Sequence, residues 1–532
     1  MKSENLIAPE FYNITDEIAQ FDSEKTALVW ENEAGEVREW SYHRLLETAN
    51  RFANVMTDAG IGKGDHVIVM MPRLLETYAV YMGIWLTGAI IIPASELLKA
   101  HDLEYRIHHA NVKAIIADAS CTAEFDKIAD APSVVTRIVV GGALDGWQSY
   151  EQLMENAAVT FERVATRKDD PCLLAFTSGT TGNPKGVVHV HGWGYAHIRI
   201  AADHWLDIRE SDTVWATAGP GWQKWVWSPF LSVLGKGATG FIYNGRFHPA
   251  KQLKLLQDRQ VNVLCCTPTE YRLMAKADHL NTYDLSHLRS AVSAGEPLNR
   301  EVISVFQDNF DIKVRDGYGQ TESTLLIGTL VDFPIRPGSM GKPIMPEYMA
   351  IIDENGEPVG VGEIGDIAMR KDFPALFQEY YKEPERLEKA IRGDYFVSGD
   401  RAYRDEDDYY WFQGRNDDII ISSGYTIGPF EVEDALTHHP AVKEVAVVAS
   451  PDEIRGTVVK AFIVLKDGYD GDNALIRELQ NFTKNRTAPY KYPRRIAFVE
   501  SLPKTDSGKV RRVALREAEF TKLHAHDYNH SR

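Results

Sequence analysis

The chain has 532 residues, with 58 Lys and Arg against 76 Asp and Glu, a formal net charge of −18. At about 100–200 residues per domain this length holds roughly three to four folding units, and 44% hydrophobic with 25% charged residues reads as an acidic globular protein rather than a nucleic-acid binder, which gathers Lys and Arg against phosphate. No segment nears the roughly 18 unbroken apolar residues of a membrane span, the four cysteines (Cys121, Cys172, Cys265, Cys266) show no CxxC spacing, and no secretory or Arg-rich transit segment follows Met1; this argues against a zinc or disulfide scaffold and points to the cytosol.

In chain order, an amphipathic pattern over Tyr42–Ala59 predicts a helix, the apolar run His66–Met71 a strand, Leu75–Leu86 a second helix and Ala89–Pro93 a buried strand. The alternation recurs at Val261–Cys266, with a helix from Pro268, and at Leu288–Ala294, so a large α/β region on mixed or parallel sheets is expected. After Gly338 the pattern changes: Tyr348–Asp353, an Asn355-Gly356 turn and Gly365–Arg370 read as a small antiparallel β subdomain. Beyond Gly414 it changes again, with strands at Asp418–Ser422, Val442–Ala449 and Val458–Leu465 and a helix at Pro429–His438, a compact α+β domain. The expected division is 1–416 and 417–532. Charge is shared unevenly: residues 484–512 hold nine basic and two acidic side chains, +7, leaving −25 for the rest. Such a run is most often a solvated face.

Chemistry concentrates first between Leu173 and His189, where an apolar strand enters the loop Thr177-Ser178-Gly179-Thr180-Thr181-Gly182-Asn183-Pro184-Lys185-Gly186. Glycines let backbone N–H groups approach an anion, hydroxyls add donors and Lys185 adds a point charge, a composition suited to polyphosphate. It is not a Walker A loop, because Pro184 precedes the Lys and Gly186 follows it where Ser or Thr would be needed.

Four further motifs follow in order: Asp316-Gly317-Tyr318-Gly319-Gln320-Thr321-Glu322, Ser398-Gly399-Asp400, Gly414-Arg415-Asn416-Asp417-Asp418 and Pro503-Lys504-Thr505-Asp506-Ser507-Gly508-Lys509. With Thr177–Gly186 they make nearly the whole chain resemble the acyl- and aryl-CoA synthetases of the adenylate-forming superfamily, relatives of luciferases and peptide-synthetase adenylation domains. Ala488-Pro489-Tyr490-Lys491-Tyr492-Pro493-Arg494 and Ser423-Gly424-Tyr425 look most like medium-chain acyl-CoA synthetases.

The resemblance implies an N-terminal AMP-binding (adenylation) domain, a mobile C-terminal domain and a reaction in two halves. A carboxylate attacks the α-phosphorus of ATP to give acyl-AMP and pyrophosphate, and the CoA thiol then displaces AMP. ATP, Mg2+ and coenzyme A are the implied cofactor and co-substrates, and a small carboxylic acid the implied partner. No nucleic acid and no membrane span are expected, and a homodimer is among the assemblies allowed.

By the same resemblance Thr177, Ser178, Gly179, Thr180, Thr181, Gly182, Asn183, Pro184 and Lys185 grip the β- and γ-phosphates, Glu322 holds Mg2+ and Thr321 contacts the α-phosphate, a carboxylate suiting a hard cation. Gly295, Glu296 and Pro297, with Asp316, Gly317 and Tyr318, flank the adenine, followed by Gly319 and Gln320; Asp400 and Arg415 take the ribose. Lys509 bridges the acyl carboxylate and the nucleotide during adenylation. Asp417 stands at the hinge about which the small domain swings, bringing Ser423, Gly424 and Tyr425 to the pantetheine and Arg455, Lys484, Tyr492, Pro493 and Arg494 to the CoA phosphates. Catalysis thus falls to Lys509, Thr177, Lys185 and Glu322.

Acetate-specific relatives carry Trp in place of Gly319 and Val in place of Ala216 and Ala294, so an acyl pocket formed by these with Thr217 and Trp222 is expected to be deeper. Trp225 and Trp227 fit either pocket or core. No Asp or Glu occurs between Thr213 and Gln257, where amino-acid-activating relatives place a carboxylate. A medium- or branched-chain fatty acid is the expected substrate; a benzoate-type aryl acid is the alternative, and a non-catalytic acyl-nucleotide binder the alternative outside enzymes. One departure stands out: Thr426 occupies the place of an Arg in many relatives, so one contact to phosphate or acyl group is lost or supplied elsewhere.

Overall fold

Local sequence accounts for where the helices begin and which faces they bury. The helix Tyr42–Asp58 starts at Ser41, whose hydroxyl accepts from the Arg44 N–H at 3.1 Å, and buries Leu45, Ala49, Phe52 and Met56, the one-sided stripe expected of an amphipathic helix. Its neighbour Leu75–Leu86 is apolar on every side and is buried on nearly every side. The helix Pro268–Ala275 opens on a capping box, Thr267 with Glu270, and has Pro268 in its first turn.

The computed structural model describes residues 2–177, 184–296, 298, 300–415, 418–422, 425–452, 456–487, 489–505 and 509–530. They fall into two compact units, residues 1–337, 343–348 and 371–389 in one and 338–342, 349–370 and 390–532 in the other.

In the first unit an eight-stranded sheet runs Glu379–Tyr380, Lys185–Val190, Pro171–Thr177, Ile90–Pro93, His66–Met70, Ala114–Asp118, Thr136–Val140, Gln148–Ser149. It is parallel from Pro171–Thr177 onward, and the strands Lys185–Val190 and Glu379–Tyr380 are added antiparallel at one edge. A second sheet includes, in order, Leu325–Gly328, Val314–Gly319, Ser290–Ala294, Val263–Cys266, Thr213–Ala216, Thr239–Asn244, Thr26–Asn32 and Val37–Ser41; of these the first two and the last two pair antiparallel and the others parallel. Buried aliphatic and aromatic side chains fill the space between each sheet and its helices. Ile90, Ile91 and Ile92 lie in this core, as do Cys265 and Cys266, and all four cysteines are unpaired.

The second unit holds an antiparallel sheet of Met349–Ile352, Gly365–Arg370, Tyr395–Arg404 and Tyr410–Arg415, with Ile391–Arg392 beside it. A further sheet pairs Val442–Asp452 with Gly456–Leu465 and joins Arg495–Phe498, Ile420–Ser422 and Tyr425–Ile427 to it. Helices Pro429–Thr437 and Asn473–Arg486 contribute Val432, Leu436, Leu475 and Leu479 to its core.

The strand, Asn355-Gly356 turn and Gly365–Arg370 strand follow the sequence pattern: the two strands pair antiparallel, and the Asp353 carboxylate accepts from the N–H groups of Asn355 and Glu357 in the turn. One feature departs from it. Ile198–Leu206 and Val226–Ser232 are π-helical, wider than the α-helix, a form that concentrates at functional sites and that residue periodicity does not reveal.

Candidate active site

The edge of the first sheet assembles the phosphate-loop motif. Register places Thr177 opposite Lys185, and Tyr380 opposite Val187 on the next strand. Lys185 forms an ion pair with Glu322, and its ammonium lies 3.2 Å from the Tyr380 hydroxyl and 4.7 Å from the ring centre. The Tyr380 hydroxyl donates to Glu322 Oε1 at 2.8 Å, and the Phe377 N–H donates to the Glu322 carbonyl at 2.7 Å. Glu322 is only 6% exposed. Burial alone would raise its carboxyl, but the Lys185 charge and the hydrogen bonds outweigh it and hold the group below the usual Glu value. Tyr380 moves far the other way, through burial and the adjacent Glu322 charge, and so stays a donor. Thr177 Oγ1 is buried with no partner among the described residues. The Pro184 carbonyl accepts from Tyr105 Oη at 3.3 Å. Ser178, Gly179, Thr180, Thr181, Gly182 and Asn183 lie outside the described residues.

The parallel strands of the second sheet deliver the nucleotide and acyl candidates. Ala216, Ala294 and Gly319 are the last residues of Thr213–Ala216, Ser290–Ala294 and Val314–Gly319, so all three emerge at the carboxyl edge, where open α/β sheets bind ligands. Glu296 accepts from Thr269 Oγ1 at 3.0 Å and from Arg272 at 3.2 Å, and Pro297 lies outside the described residues. The Asp316 carboxylate accepts from the Gly317 N–H at 2.9 Å, and its pKa is pushed up to about 7 by burial. The Trp205 indole N–H donates to the Asp316 carbonyl at 3.1 Å. Tyr318 is half-buried, and a turn from Gln320 to Ser323, with the Gln320 N–H on Ser323 Oγ at 3.3 Å, carries Thr321 and Glu322. A Cβ at Gly319 would sit 2.2 Å from the Thr324 carbonyl, so the irregular pairing of this strand with Leu325–Gly328 itself requires glycine there, apart from any demand of an acyl pocket.

The segment that carries the acyl-pocket candidates is tied by side-chain hydrogen bonds. The Arg73 guanidinium donates to the Thr217 carbonyl at 2.8 Å, Thr217 Oγ1 donates to Glu270 at 2.7 Å and Tyr81 Oη donates to the Pro220 carbonyl at 3.0 Å. Gly221 lies against the backbone of Ser95, where a Cβ would come within 2.2 Å of its Cα. Trp222 is left 38% exposed, whereas Trp225 is a core residue packed on Tyr78, Tyr81 and Phe230 with ring centres 4.8–5.2 Å apart. Trp227 packs against Trp193 and His197.

In the second unit, Asp400 and Arg415 face each other across strands Tyr395–Arg404 and Tyr410–Arg415. Asp400 is buried, with its N–H on Ser398 Oγ at 3.1 Å. Lys509 is exposed; the Thr505 N–H donates to the Lys509 carbonyl at 2.7 Å and the Lys509 N–H donates to Thr505 Oγ1 at 3.1 Å. Lys484 Nζ lies 4.1 Å from the Tyr492 ring centre, the Arg494 guanidinium lies 5.0 Å from it, and Arg494 donates to the Tyr492 hydroxyl at 2.8 Å. The Pro493 carbonyl accepts from Gln480 at 3.0 Å. Tyr425 and Thr426 belong to a short hairpin with Ile420–Ser422; Asp417, Ser423, Gly424 and Arg455 lie outside the described residues.

Residues 15–381 match the AMP-binding enzyme family and residues 431–509 the AMP-binding enzyme C-terminal domain. The chain belongs to the AMP-binding enzyme family. Within it the chain is 58% identical over 521 residues to the acyl–CoA ligase YtcI of Bacillus subtilis, covering 98% of both, and 38% identical over 531 residues to the mitochondrial acyl-coenzyme A synthetase ACSM3 of Mus musculus, covering 96% of this chain and 91% of that one. Among solved structures, the anthranilate CoA ligase AuaEII in complex with anthranoyl-AMP superposes with a TM-score of 0.90 at 30% identity over 99% of this chain and all of that one. A benzoate CoA ligase of Burkholderia xenovorans LB400 gives 0.83 at 28% identity, covering 95% and 100%. This AMP-binding enzyme is an AMP-forming acyl-CoA synthetase of the medium-chain family in the adenylate-forming superfamily.

Sequence motifs alone do not reveal the buried residues that hold this enzyme's site in place. Tyr380 stands in the unremarkable run Glu379-Tyr380-Tyr381, and only the edge pairing of Glu379–Tyr380 brings its hydroxyl to Glu322. His189, Trp193 and His197 form a buried column with neighbouring ring centres 4.4 and 5.3 Å apart. It braces the segment around Glu322: His189 Nε2 lies 2.6 Å from the Thr321 carbonyl, Trp193 donates to the Ser323 carbonyl at 2.9 Å and His197 Nδ1 lies 2.6 Å from Thr324 Oγ1. Burial lowers His189 to about 4 and His197 to about 3, so both rings are neutral at physiological pH. The spacing of four residues was the one visible signal.

Proposed function

We propose that the Lys185, Glu322 and Tyr380 cluster is the polyphosphate and metal end of the adenylation centre, and that the enzyme acts on medium- or branched-chain fatty acids. The observation that carries the first part is the pairing itself. A cation and an anion held together in a buried place exchange partners without net change of charge when Lys185 turns to the β- and γ-phosphates and Glu322 to Mg2+. The donor set suits a hard cation that keeps most of its shell from water and substrate: one buried carboxylate, the unpartnered Thr177 Oγ1, and no group of three or more His, Cys, Asp or Glu among the described residues. Held there by Glu322, Mg2+ would supply positive charge to offset that of the pyrophosphate.

Around this end, Ser178–Asn183 wrap the phosphates, Gly295–Pro297 and Asp316–Tyr318 hold the adenine, Gln320 and Thr321 approach the α-phosphate, and Asp400 with Arg415 holds the ribose. The cross-strand pairing of Asp400 and Arg415, 15 positions apart, supports a joint role. Lys509 offsets the charge that develops as the carboxylate attacks. The C-terminal domain, residues 417–532, then turns about Asp417 and brings Ser423–Tyr425, Arg455, Lys484 and Tyr492–Arg494 to CoA; the clustering of two cations on Tyr492 supports the phosphate end of that surface. Four unpaired, buried cysteines suit a reducing compartment, and a cytosolic location belongs to this reading.

The acyl end rests on Ala216, Thr217, Trp222, Ala294 and Gly319 at one sheet edge. Apolar recognition discriminates by only about 1–3 kcal/mol per methylene, so overlapping chain lengths are expected. An aryl acid is the second reading, favoured by the half-exposed Trp222 and by structural neighbours that act on anthranilate and benzoate. Two assays decide. In the first, Lys509→Ala lowers pyrophosphate release from hexanoate and ATP about 10²–10³-fold yet still converts supplied hexanoyl-AMP to thioester; equal loss of both halves removes Lys509 from the adenylation step. In the second, hexanoate and benzoate compete for CoA consumption, and preferential use of benzoate overturns the aliphatic assignment.

A further inference from the structure

The sheet edge that carries Lys185 has two faces, and the cluster with Glu322 uses only one of them. Thr177 and Lys185 stand opposite each other and project to that face, while the next pair, Phe176 and Gly186, belongs to the other. On this second face the Tyr381 N–H donates to the Gly186 carbonyl at 2.8 Å, and a Cβ at Gly186 would meet the side chains of Leu174, Tyr381 and Phe176 at 2.8, 3.3 and 3.5 Å. Glycine there lets the rings close over the strand.

The helix Ala100–Ala110 covers those rings. Its Arg106 guanidinium lies 5.3 Å from the Phe176 ring centre and donates back to the Asp102 carbonyl at 2.6 Å. Tyr105 and His109, one turn apart, stack at 5.1 Å; both meet Phe176 edge-on, at 6.2 and 6.1 Å, and His109 meets Tyr381 at 5.7 Å. Leu103, Ile107 and Ala110 seat the helix in the core. One contact reaches past this packing: the Tyr105 hydroxyl donates to the Pro184 carbonyl at 3.3 Å. Pro184 has no N–H, so the carbonyl is the one polar backbone group by which it is held. That carbonyl shares a planar peptide unit with the nitrogen of Lys185, so the hydrogen bond orients the backbone from which the Lys185 side chain departs.

We propose that Tyr105 is a positioning residue for the phosphate end of the adenylation centre: from a helix seated in the core, its hydroxyl sets the Pro184–Lys185 peptide so that the Lys185 ammonium is presented to the β- and γ-phosphates. This rests on the reading above that Lys185 meets those phosphates. Before nucleotide arrives the ion pair with Glu322 also fixes the ammonium. Once Lys185 has exchanged Glu322 for phosphate, its backbone is what limits its freedom, and a peptide already oriented lowers the ordering that binding costs.

The test uses the full chain with Mg2+ and no carboxylic acid, so that ATP binds without turnover. It compares the Kd for ATP with that for AMP, which lacks the β- and γ-phosphates. Tyr105→Phe keeps the ring and loses only the hydroxyl. Its Kd for ATP is expected to rise about three- to tenfold, the range of one neutral hydrogen bond, while AMP binds as to the wild type and supplied hexanoyl-AMP is converted to thioester at the wild-type rate. In a Lys185→Met background the same Tyr105→Phe change is expected to have no further effect on ATP, because Tyr105 acts through Lys185. Unchanged ATP affinity in Tyr105→Phe, an equal loss for ATP and AMP, as a merely structural hydroxyl would give, or a full additional loss in the double variant overturns the proposal. Thermal unfolding identifies any variant that fails to fold, and Tyr105→Phe alone carries the test if Lys185→Met does not fold. A folded Lys185→Met that binds ATP as tightly as the wild type would instead overturn the reading of the phosphate end.

Discussion

The cluster at Lys185 and the cationic groups at Lys509 and around Tyr492, all proposed to meet polyanions, are built in opposite ways. Lys185 is paired with a buried carboxylate, touched by a phenol and set by two strands of a sheet. Lys509 is exposed, and its backbone is hydrogen-bonded to Thr505. Lys484 and Arg494 lie on the faces of an aromatic ring. A buried charge is committed to a partner before any ligand arrives, so its removal costs the fold as well as the reaction. An exposed charge costs the fold little, and its removal reads out chemistry alone.

The largest expected effect breaks the buried side of this comparison. Glu322→Ala leaves the Lys185 ammonium without its anion, and a loss of about 3–5 kcal/mol of stability is expected together with loss of pyrophosphate release; denaturant unfolding beside an exchange assay measures both. Lys509→Ala is the counterpart: adenylation falls about 10²–10³-fold with no change in the unfolding midpoint. If Lys509→Ala destabilises the protein as much as Glu322→Ala, the contrast is wrong.

Gly319→Trp tests whether pocket depth or backbone geometry governs that position. Because a Cβ there meets the Thr324 carbonyl at 2.2 Å, activity is expected to fall on acids of every length rather than shift toward acetate. A clean shift to acetate with full activity would show that the strand accommodates the side chain.

Tyr380→Phe sharpens the electrostatics. Glu322 is held below its usual value, so its ionised form stabilises the folded enzyme above the unfolded carboxyl's pKa, and this is lost as pH falls through the lower folded value. Removing the Tyr380 hydrogen bond raises the folded value, so the loss should set in at higher pH, with about 1.5–3 kcal/mol less stability at neutral pH. Unfolding midpoints measured from pH 3 to 8 would show the displacement (~one pH unit or more for a hydrogen bond of that size).

The smallest effect is expected from Tyr492→Leu, which removes the aromatic face beneath Lys484 and Arg494. The KM for CoA rises about three- to tenfold while the acid-dependent exchange reaction is unchanged, the modest size of a cation–π contact at an exposed site. An equal loss in the exchange reaction would place Tyr492 in the first half of the chemistry.

Much of the enzyme was legible before its structure. The helix Leu75–Leu86 and the strands at His66 and Ile90 follow from local apolar pattern, and the family follows from ordered motifs whose residue types suit phosphate, metal and ribose. Less legible was the state of those residues. Trp225 has the same identity as Trp222 three positions earlier, yet one is core and the other half-exposed. The π-helical segments also escape pattern reading, because they depend on backbone hydrogen bonds rather than on side-chain period.

By itself, the sequence determined which chemical groups the enzyme possesses: an acidic chain whose positive charge gathers at 484–512, a hydroxyl- and glycine-rich loop, a carboxylate at 322 and lysines at 185 and 509. Only the tertiary structure decided which of them are bound to one another. Lys185, Glu322 and Tyr380 are separated by 137 and 58 positions, and His189 stands 34 and 132 positions from the Gln223 side chain and the Thr321 carbonyl that lie beside its Nε2. Hydrogen bonds and ion pairs act over a few ångströms, and no local pattern encodes a distance that the sheet register and the packing of buried rings set from outside the motif.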